Sequence, residues 1–130
     1  MTAGLDIKSR THKIRSVIGT YCKAIREADL EAICALFADG AILEDPAGSP
    51  QIKGKADIRA FYEQSLKGRP KVRINADPIV IGSFSATPMQ IDLEYNGKPL
   101  SIELLSVMSY DDQNRILSMS AYFDPRALDG

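Results

Sequence analysis

One histidine, His12, stands in the whole 130-residue chain, and it lies near the start. A histidine-built metal site or a Ser-His triad therefore has almost no raw material. Cysteine is nearly as scarce. Cys22 and Cys34 fall in stretches that read as helical and lack metal-ligand spacing, so they are expected as small buried thiols in a reducing cytosol. An excess of charge is missing too: 16 Lys and Arg against 17 Asp and Glu leave a formal net charge of -1, with the basic residues scattered. That lacks the electrostatic footprint of a nucleic-acid binder. No apolar run approaches the ~18 residues that span a bilayer, and the opening MTAGLDIKSRTHK has no apolar segment of the signal-peptide kind. Repeats, low-complexity tracts and linkers are absent as well. What remains is 45% apolar and 25% charged residues, ordinary for a soluble globular protein. Residues 1–130 suit one domain with a sizeable core. The expectation is a cytoplasmic protein without metal, organic cofactor, nucleic-acid partner or membrane partner.

The first half reads as helical. Ile14, Val17, Ile18, Tyr21 and Ile25 follow the i, i+3, i+4, i+7 rule and predict a helix from about Ser9 to Glu27. Asp29 suits the N-cap of a second helix that buries Leu30, Ile33, Leu36 and Phe37 and ends at Gly40. A third helix is expected from Ala56 to Lys67, with Ile58, Phe61, Tyr62 and Leu66 inward and Gly68 as its stop. Between the second and third helices lies a short strand, AILED, and a turn.

After Pro70 the period changes to two. Val72, Ile74 and Ala76 alternate with polar residues, and Ile79 to Ala86 reads as a strand bulged at Gly82. Met89, Ile91, Leu93 and Tyr95 alternate again and run into Asn96-Gly97, the strongest hairpin signal in the chain. On the returning strand Leu100, Ile102, Leu104, Ser106, Met108 and Tyr110 share one face. Asp111 to Asn114 makes a turn, and Ile116 to Phe123 is the last strand. Helices followed by an antiparallel meander make the α+β pattern. Helices on the concave side of a curved sheet would enclose a pocket.

Three residues in this frame carry polar groups where apolar ones would do. Tyr21 lies on a core stripe, and a buried phenol needs a hydrogen-bond partner. Ser106 sits mid-strand on an apolar face, where an unpaired hydroxyl costs roughly 1–3 kcal/mol. Asp45, in LEDPAGSP, follows Glu44 at a strand end, so the two carboxylates must point to opposite sides. Each has an ordinary structural reading, and Asp45-Pro46 is a common turn dipeptide. Spacing alone does not choose.

The runs from Tyr21 to Gly68 and from Asn96 to Phe123, and above all EDPAGSPQIKG, the AFY of the third helix and the helix-one tyrosine, resemble the delta-5-3-ketosteroid isomerases of the nuclear-transport-factor-2-like superfamily. The likeness extends from about Arg15 to Phe123. It implies a cone-shaped α+β fold with three N-terminal helices packed on a curved, mostly antiparallel sheet around an apolar pocket. It places the catalytic base on Asp45, an oxyanion-hole tyrosine on Tyr21, and the tyrosine that hydrogen-bonds that phenol on Tyr62. The ketosteroid isomerases are the type case of a carboxylic acid held neutral in an apolar site, and where they place that second donor this chain has Ser106. Ser106 is read as a weaker donor that keeps the mechanism. One further network tyrosine corresponds to Phe37, and an aromatic wall residue to Phe123.

The same faces give the expected wall of the pocket. Val17, Leu36, Phe37 and Phe61 come from the first half. Leu104, Met108, Met119 and Phe123 come from the sheet. The resemblance implies a steroid as small-molecule substrate, no cofactor, and a homodimer formed through the outer face of the sheet, where Leu105 and Val107 are apolar. Two other readings stay open: a hydrolase, dehydratase or cyclase of the same superfamily, and a non-catalytic binding or docking module. Epoxide hydrolases of this fold use two aspartates bridged by an arginine, and dehydratases use pocket histidines; neither set is evident here.

Overall fold

Ile14, Ile18, Tyr21, Cys22 and Ile25 are buried along one side of α1 (Ala3–Arg26) in the computed structural model, which describes residues 3–129. The helix begins earlier than its apolar stripe, because the turns before Ser9 extend a helix already anchored by those side chains. Val17, at the margin of the stripe, is half-buried.

The Asp29 side chain accepts from the Ala32 N–H at 3.1 Å and starts α2 (Leu30–Ala35), as the cap predicted. The helix then stops short of the expected Gly40. Leu36 closes it, and Phe37 opens β1 (Phe37–Glu44), with Gly40 inside the strand. The cause is tertiary. Phe37 is fully buried and pairs with Ile116 in parallel, and the Ile116 N–H donates to the Leu36 carbonyl at 2.8 Å. A distant strand thus takes the backbone groups that a longer helix would have used.

The turn after β1 leads into β2 (Ile52–Lys53), which pairs back on Ile42 and Leu43. Next comes α3 (Lys55–Ser65), followed by a 3-10 turn over Leu66–Gly68. The left-handed residue after it is Arg69, at φ 51°, rather than Gly68. Gly68 is needed for another reason. A Cβ there would stand 2.8 Å from the carbonyl oxygen of Glu94 and 3.7 Å from Leu93 Cδ1. Gly68→Ala should therefore push the chain off the opposing strand and lower stability by about 1–3 kcal/mol. An unchanged urea midpoint would show that this contact yields freely.

The remaining strands are β3 (Lys71–Ile74), β4 (Ile79–Ile81), β5 (Phe84–Tyr95), β6 (Lys98–Tyr110) and β7 (Ile116–Tyr122). Their order is β2-β1-β7-β6-β5-β3, with β4 also on β5. Only β1 and β7 pair in parallel, so the sheet is mixed and mostly antiparallel. Asn96 and Gly97 both have positive φ, 52° and 78°, and set Tyr95 opposite Lys98 as a two-residue hairpin requires. The expected bulged strand from Ile79 to Ala86 is instead two strands, because Gly82 (φ 58°) lies in a tight turn that folds β4 onto β5. The strand expected to reach Ala76 ends at Ile74, and of its alternating residues only Val72 is buried.

The inward row of β6 is as the period of two predicts: Ile102, Ser106, Met108 and Tyr110 are buried and Leu104 half-buried. Three helices cover this side of the curved sheet. They do not fill it.

Candidate active site

The turn after β1 separates the two carboxylates of LEDPAGSP. Glu44 turns outward, where its Oε1 accepts from the Gly48 N–H at 2.9 Å and its Oε2 from Gln51 Nε2 at 3.1 Å. These bonds, the backbone one foremost, hold it below the usual carboxylate range. The turn is fastened to the sheet where the Ala47 N–H donates to the Ala121 carbonyl at 2.7 Å. The Asp45–Pro46 peptide is cis.

Asp45 faces the other way, onto a cavity of about 1050 Å3 between the helices and the sheet. Its side chain is open to that space, yet burial pushes its carboxyl up from 3.8 to about 6. The two facts agree because the space is a walled concavity. Water can touch the carboxylate, but protein replaces much of the bulk solvent that would stabilise its charge. At neutral pH the group is still mostly ionised.

Tyr21 and Tyr62 also line this cavity. Their positions follow from the core stripe of α1 and the inner face of α3. The two phenol oxygens lie 2.8 Å apart, and the rings meet edge-on at 6.2 Å between centroids. Phe37 and Phe61 flank Tyr62 at 5.9 and 5.2 Å. Tyr62 has a second contact, to Met119 Sδ at 3.5 Å. Either phenol can donate in the 2.8 Å bond; with the Tyr62 proton on the Tyr21 oxygen rather than on the weakly accepting thioether, the Tyr21 proton is free for a ligand. Burial, first of all, raises the Tyr21 phenol above its ordinary value; the Tyr62 bond opposes this and the Asp45 charge adds to it. Asp45 and Tyr21 thus face the same cavity and feel each other's charge. Tyr62 is raised well above its ordinary value, again chiefly by burial.

Of the apolar wall expected from the sequence, Phe61, Leu104 and Phe123 line the cavity. Val17, Leu36, Phe37, Met108 and Met119 do not. Phe37, Met108 and Met119 are core beneath the tyrosines: Met108 pairs with Met119 across β6 and β7, and Leu43 covers Met119 from β1. Ser106 is 3% exposed, opposite Thr87 and Ala121, and is not among the residues that line the cavity. The Thr87 hydroxyl is buried with no hydrogen-bond partner among the described residues.

Other wall residues were not singled out from sequence. Val72, Ile91, Leu93 and Ile102 form the sheet side. Asp57, Ala60, Gln64, Ser65 and Gly68 join the expected Phe61 on the helix side. That second set is spaced i, i+3, i+4, i+7, i+8, i+11, a complete helix face. Its polar members, Asp57, Gln64 and Ser65, break the apolar stripe that would mark such a face in the sequence. His12 is exposed on α1 and does not line the cavity. Among the described residues no cluster of three or more His, Cys, Asp or Glu side chains is placed to hold a metal ion, and no helix is long and apolar enough to cross a membrane.

A carboxylate and a phenol proton donor on one largely apolar cavity can move a proton on a bound carbon acid while holding the oxygen that gains charge. Known proteins share this chain's plan. It is 27% identical to the steroid Delta-isomerase of Nocardioides simplex over 113 residues, covering 87% of this chain and 91% of that protein. A shorter stretch of 48 residues is 35% identical to the epoxide hydrolase LasB of Streptomyces lasalocidi, covering 37% of this chain and 17% of LasB. In fold it matches SalBIII, an epoxide hydrolase/cyclase-like enzyme with a role in pyran ring formation in the polyether salinomycin, with a TM-score of 0.84 over 90% of this chain and 95% of that one, at 19% identity. The SnoaL-like domain model matches residues 18–119. On that match, spanning most of both the helical layer and the sheet, the chain belongs to the SnoaL-like domain family.

Proposed function

We propose that the chain is a cofactor-independent steroid delta-isomerase, moving the double bond of a 3-oxo-delta-5-steroid into conjugation with its ketone. The observation that carries this reading is the opening of Asp45 and the bonded Tyr21–Tyr62 pair onto one cavity walled by apolar sheet residues. The Asp45 carboxylate takes a proton from the carbon between the ketone and the alkene. The electron pair moves onto the ketone oxygen as a dienolate, which Tyr21 stabilises by donating its phenol proton in a hydrogen bond. Asp45 then returns the proton two carbons further along, so the enzyme ends as it began. Tyr62 fixes the Tyr21 phenol. Ser106 is assigned as a second, weaker donor with a smaller share: it follows the lining residue Leu104 on the inward row of β6 but is not itself part of the lining. The likeness to the Nocardioides simplex isomerase over most of both chains supports this chemistry.

The test is the growth of enone ultraviolet absorbance when the purified protein meets 5-androstene-3,17-dione. A flat trace at high protein concentration would refute the reading.

Epoxide hydrolysis or cyclisation is a second reading, favoured by one observation. Two aspartates, Asp45 and Asp57, share the cavity, as the base and acid of ring opening would. No arginine lines it to bridge them among the described residues. Turnover of an epoxide panel without enone formation would choose this reading.

The protein is further proposed to work in the cytosol, where its free Cys22 and Cys34 would stay reduced, and as a homodimer. The outer face of the sheet supports the dimer: Leu105 (39% exposed) and Tyr122 (53% exposed) pair across β6 and β7. Sedimentation should show a dimer that Leu105→Glu splits. A wild-type monomer at micromolar concentration would overturn it.

A further inference from the structure

The proposed isomerisation needs only the part of the cavity around Tyr21 and Asp45. Along β6 and the hairpin turn its lining runs from Leu104 out to Gly97, up to about 23 Å of strand at ~3.3 Å per residue. A four-ring steroid nucleus is about eight C–C bonds of roughly 1.5 Å in zigzag, or about 10 Å from the ketone to the far ring. Laid along β6 from Leu104, such a nucleus spans about three residues of strand and reaches past Ile102 but stops short of Gly97. The volume agrees. At about 1050 Å3 it exceeds the upper end of the roughly 300–1,000 Å3 usual for small-molecule sites.

The outer half has a definite chemistry. Its floor is formed by Leu93 and Tyr95, beyond the Ile91–Ile102 pair, and its rim carries Gln64, Lys67, Glu94 and Asn96. Glu94 is neutralised by Arg69, whose Nη2 lies 2.6 Å from its Oε1. Lys67 has no carboxylate partner among the described residues. Glu63, one turn before Lys67, is outside the lining and pairs with Arg59 at 3.5 Å, and Asp57, the acid of the helix-side lining, stands ten residues earlier, about 15 Å away along helical backbone. The rim therefore presents one uncompensated cation beside two side-chain amides, above a greasy channel.

We propose that the substrate is a 3-oxo steroid whose far ring bears a flexible hydrocarbon side chain ending in a carboxylate, the chain lying on Leu93 and Tyr95 and the carboxylate held by Lys67 with the amides of Gln64 and Asn96. The ketone end of this assignment rests on the isomerase reading; the rim end does not. Side-chain methylenes gain by leaving water, and the anion gains one charge-assisted contact at the exposed edge.

Calorimetry with inert, already conjugated ligands separates the two ends. 3-Oxo-4-cholen-24-oic acid should bind at least about tenfold more tightly than 4-androstene-3,17-dione, with its methyl ester between them. Lys67→Glu should lower the acid-to-dione affinity ratio about tenfold, the scale of one rim ion pair lost and a repulsion gained. An acid that binds no better than the dione, or a ratio untouched by Lys67→Glu, would overturn the proposal. Enone formation from 5-androstene-3,17-dione without acid preference would sink the rim assignment alone. A Lys67-dependent preference in a protein without isomerase activity would uphold the rim and sink the isomerase reading.

Discussion

Asp45→Asn is expected to lower steroid turnover by about 10²–10⁴, the usual worth of a positioned general base, while leaving the fold intact. The side chain keeps its shape and loses only its basic oxygen. Binding of a planar phenolic steroid should be at least as tight as in the wild type. The Asp45 charge opposes negative charge at Tyr21, and a neutral amide removes that opposition from any oxygen held there. Retention of near-normal turnover in the variant would refute the proton-shuttle role.

The pH profile of the wild type supplies an independent reading. Asp45 titrates at about 6, so turnover should fall about tenfold per pH unit below that value. Any residual Asn activity should not follow that limb. Stability should move the opposite way. The folded carboxyl holds its proton more tightly than the unfolded one, 3.8 against about 6. Its contribution therefore weakens the native state as pH rises from about 4 through 6, and the penalty is complete above 6. Asp45→Asn should melt higher than the wild type at pH 7, and the gap should close below pH 4.

Tyr21→Phe is the second large effect, an expected loss of about 10²–10³ in turnover from removing one preorganised donor. The ring remains, so its edge contact with Tyr62 survives, and circular dichroism should match the wild type. Tyr62 loses its hydroxyl partner at 2.8 Å and keeps Met119 Sδ at 3.5 Å. Tyr62→Phe should therefore cost less than Tyr21→Phe and add little to it, because both act on one phenol. Ser106→Ala should lower turnover less than Tyr21→Phe. No effect at all would leave the oxyanion to tyrosine alone, and a Ser106 effect exceeding that of Tyr21 would reverse the assigned roles.

Local rules in the sequence determined a good deal about this protein. Residues at period 3.6 on α1 and at period 2 on β6 gave the buried rows, because a side chain's direction depends only on its own backbone. Asp29 capped a helix and Asn96-Gly97 closed a hairpin, because those residues satisfy or adopt what the turn demands without outside help. Opposite orientation of Glu44 and Asp45 followed from strand geometry. Which one met the cavity did not, since that depended on β7 and α3 arriving on one side.

Tertiary structure alone decided three matters. Phe37 left its helix because Ile116, far along the chain, offered a parallel partner and a dry core. Gly68 mattered for its closeness to Glu94, a contact between segments that no local pattern encodes. Met108, Met119 and Phe37 point inward like Leu104 and Phe61, yet only the latter two border open space. Periodicity reports which way a side chain faces. Whether it meets a void or a neighbour is set by how distant elements fill the volume in front of it.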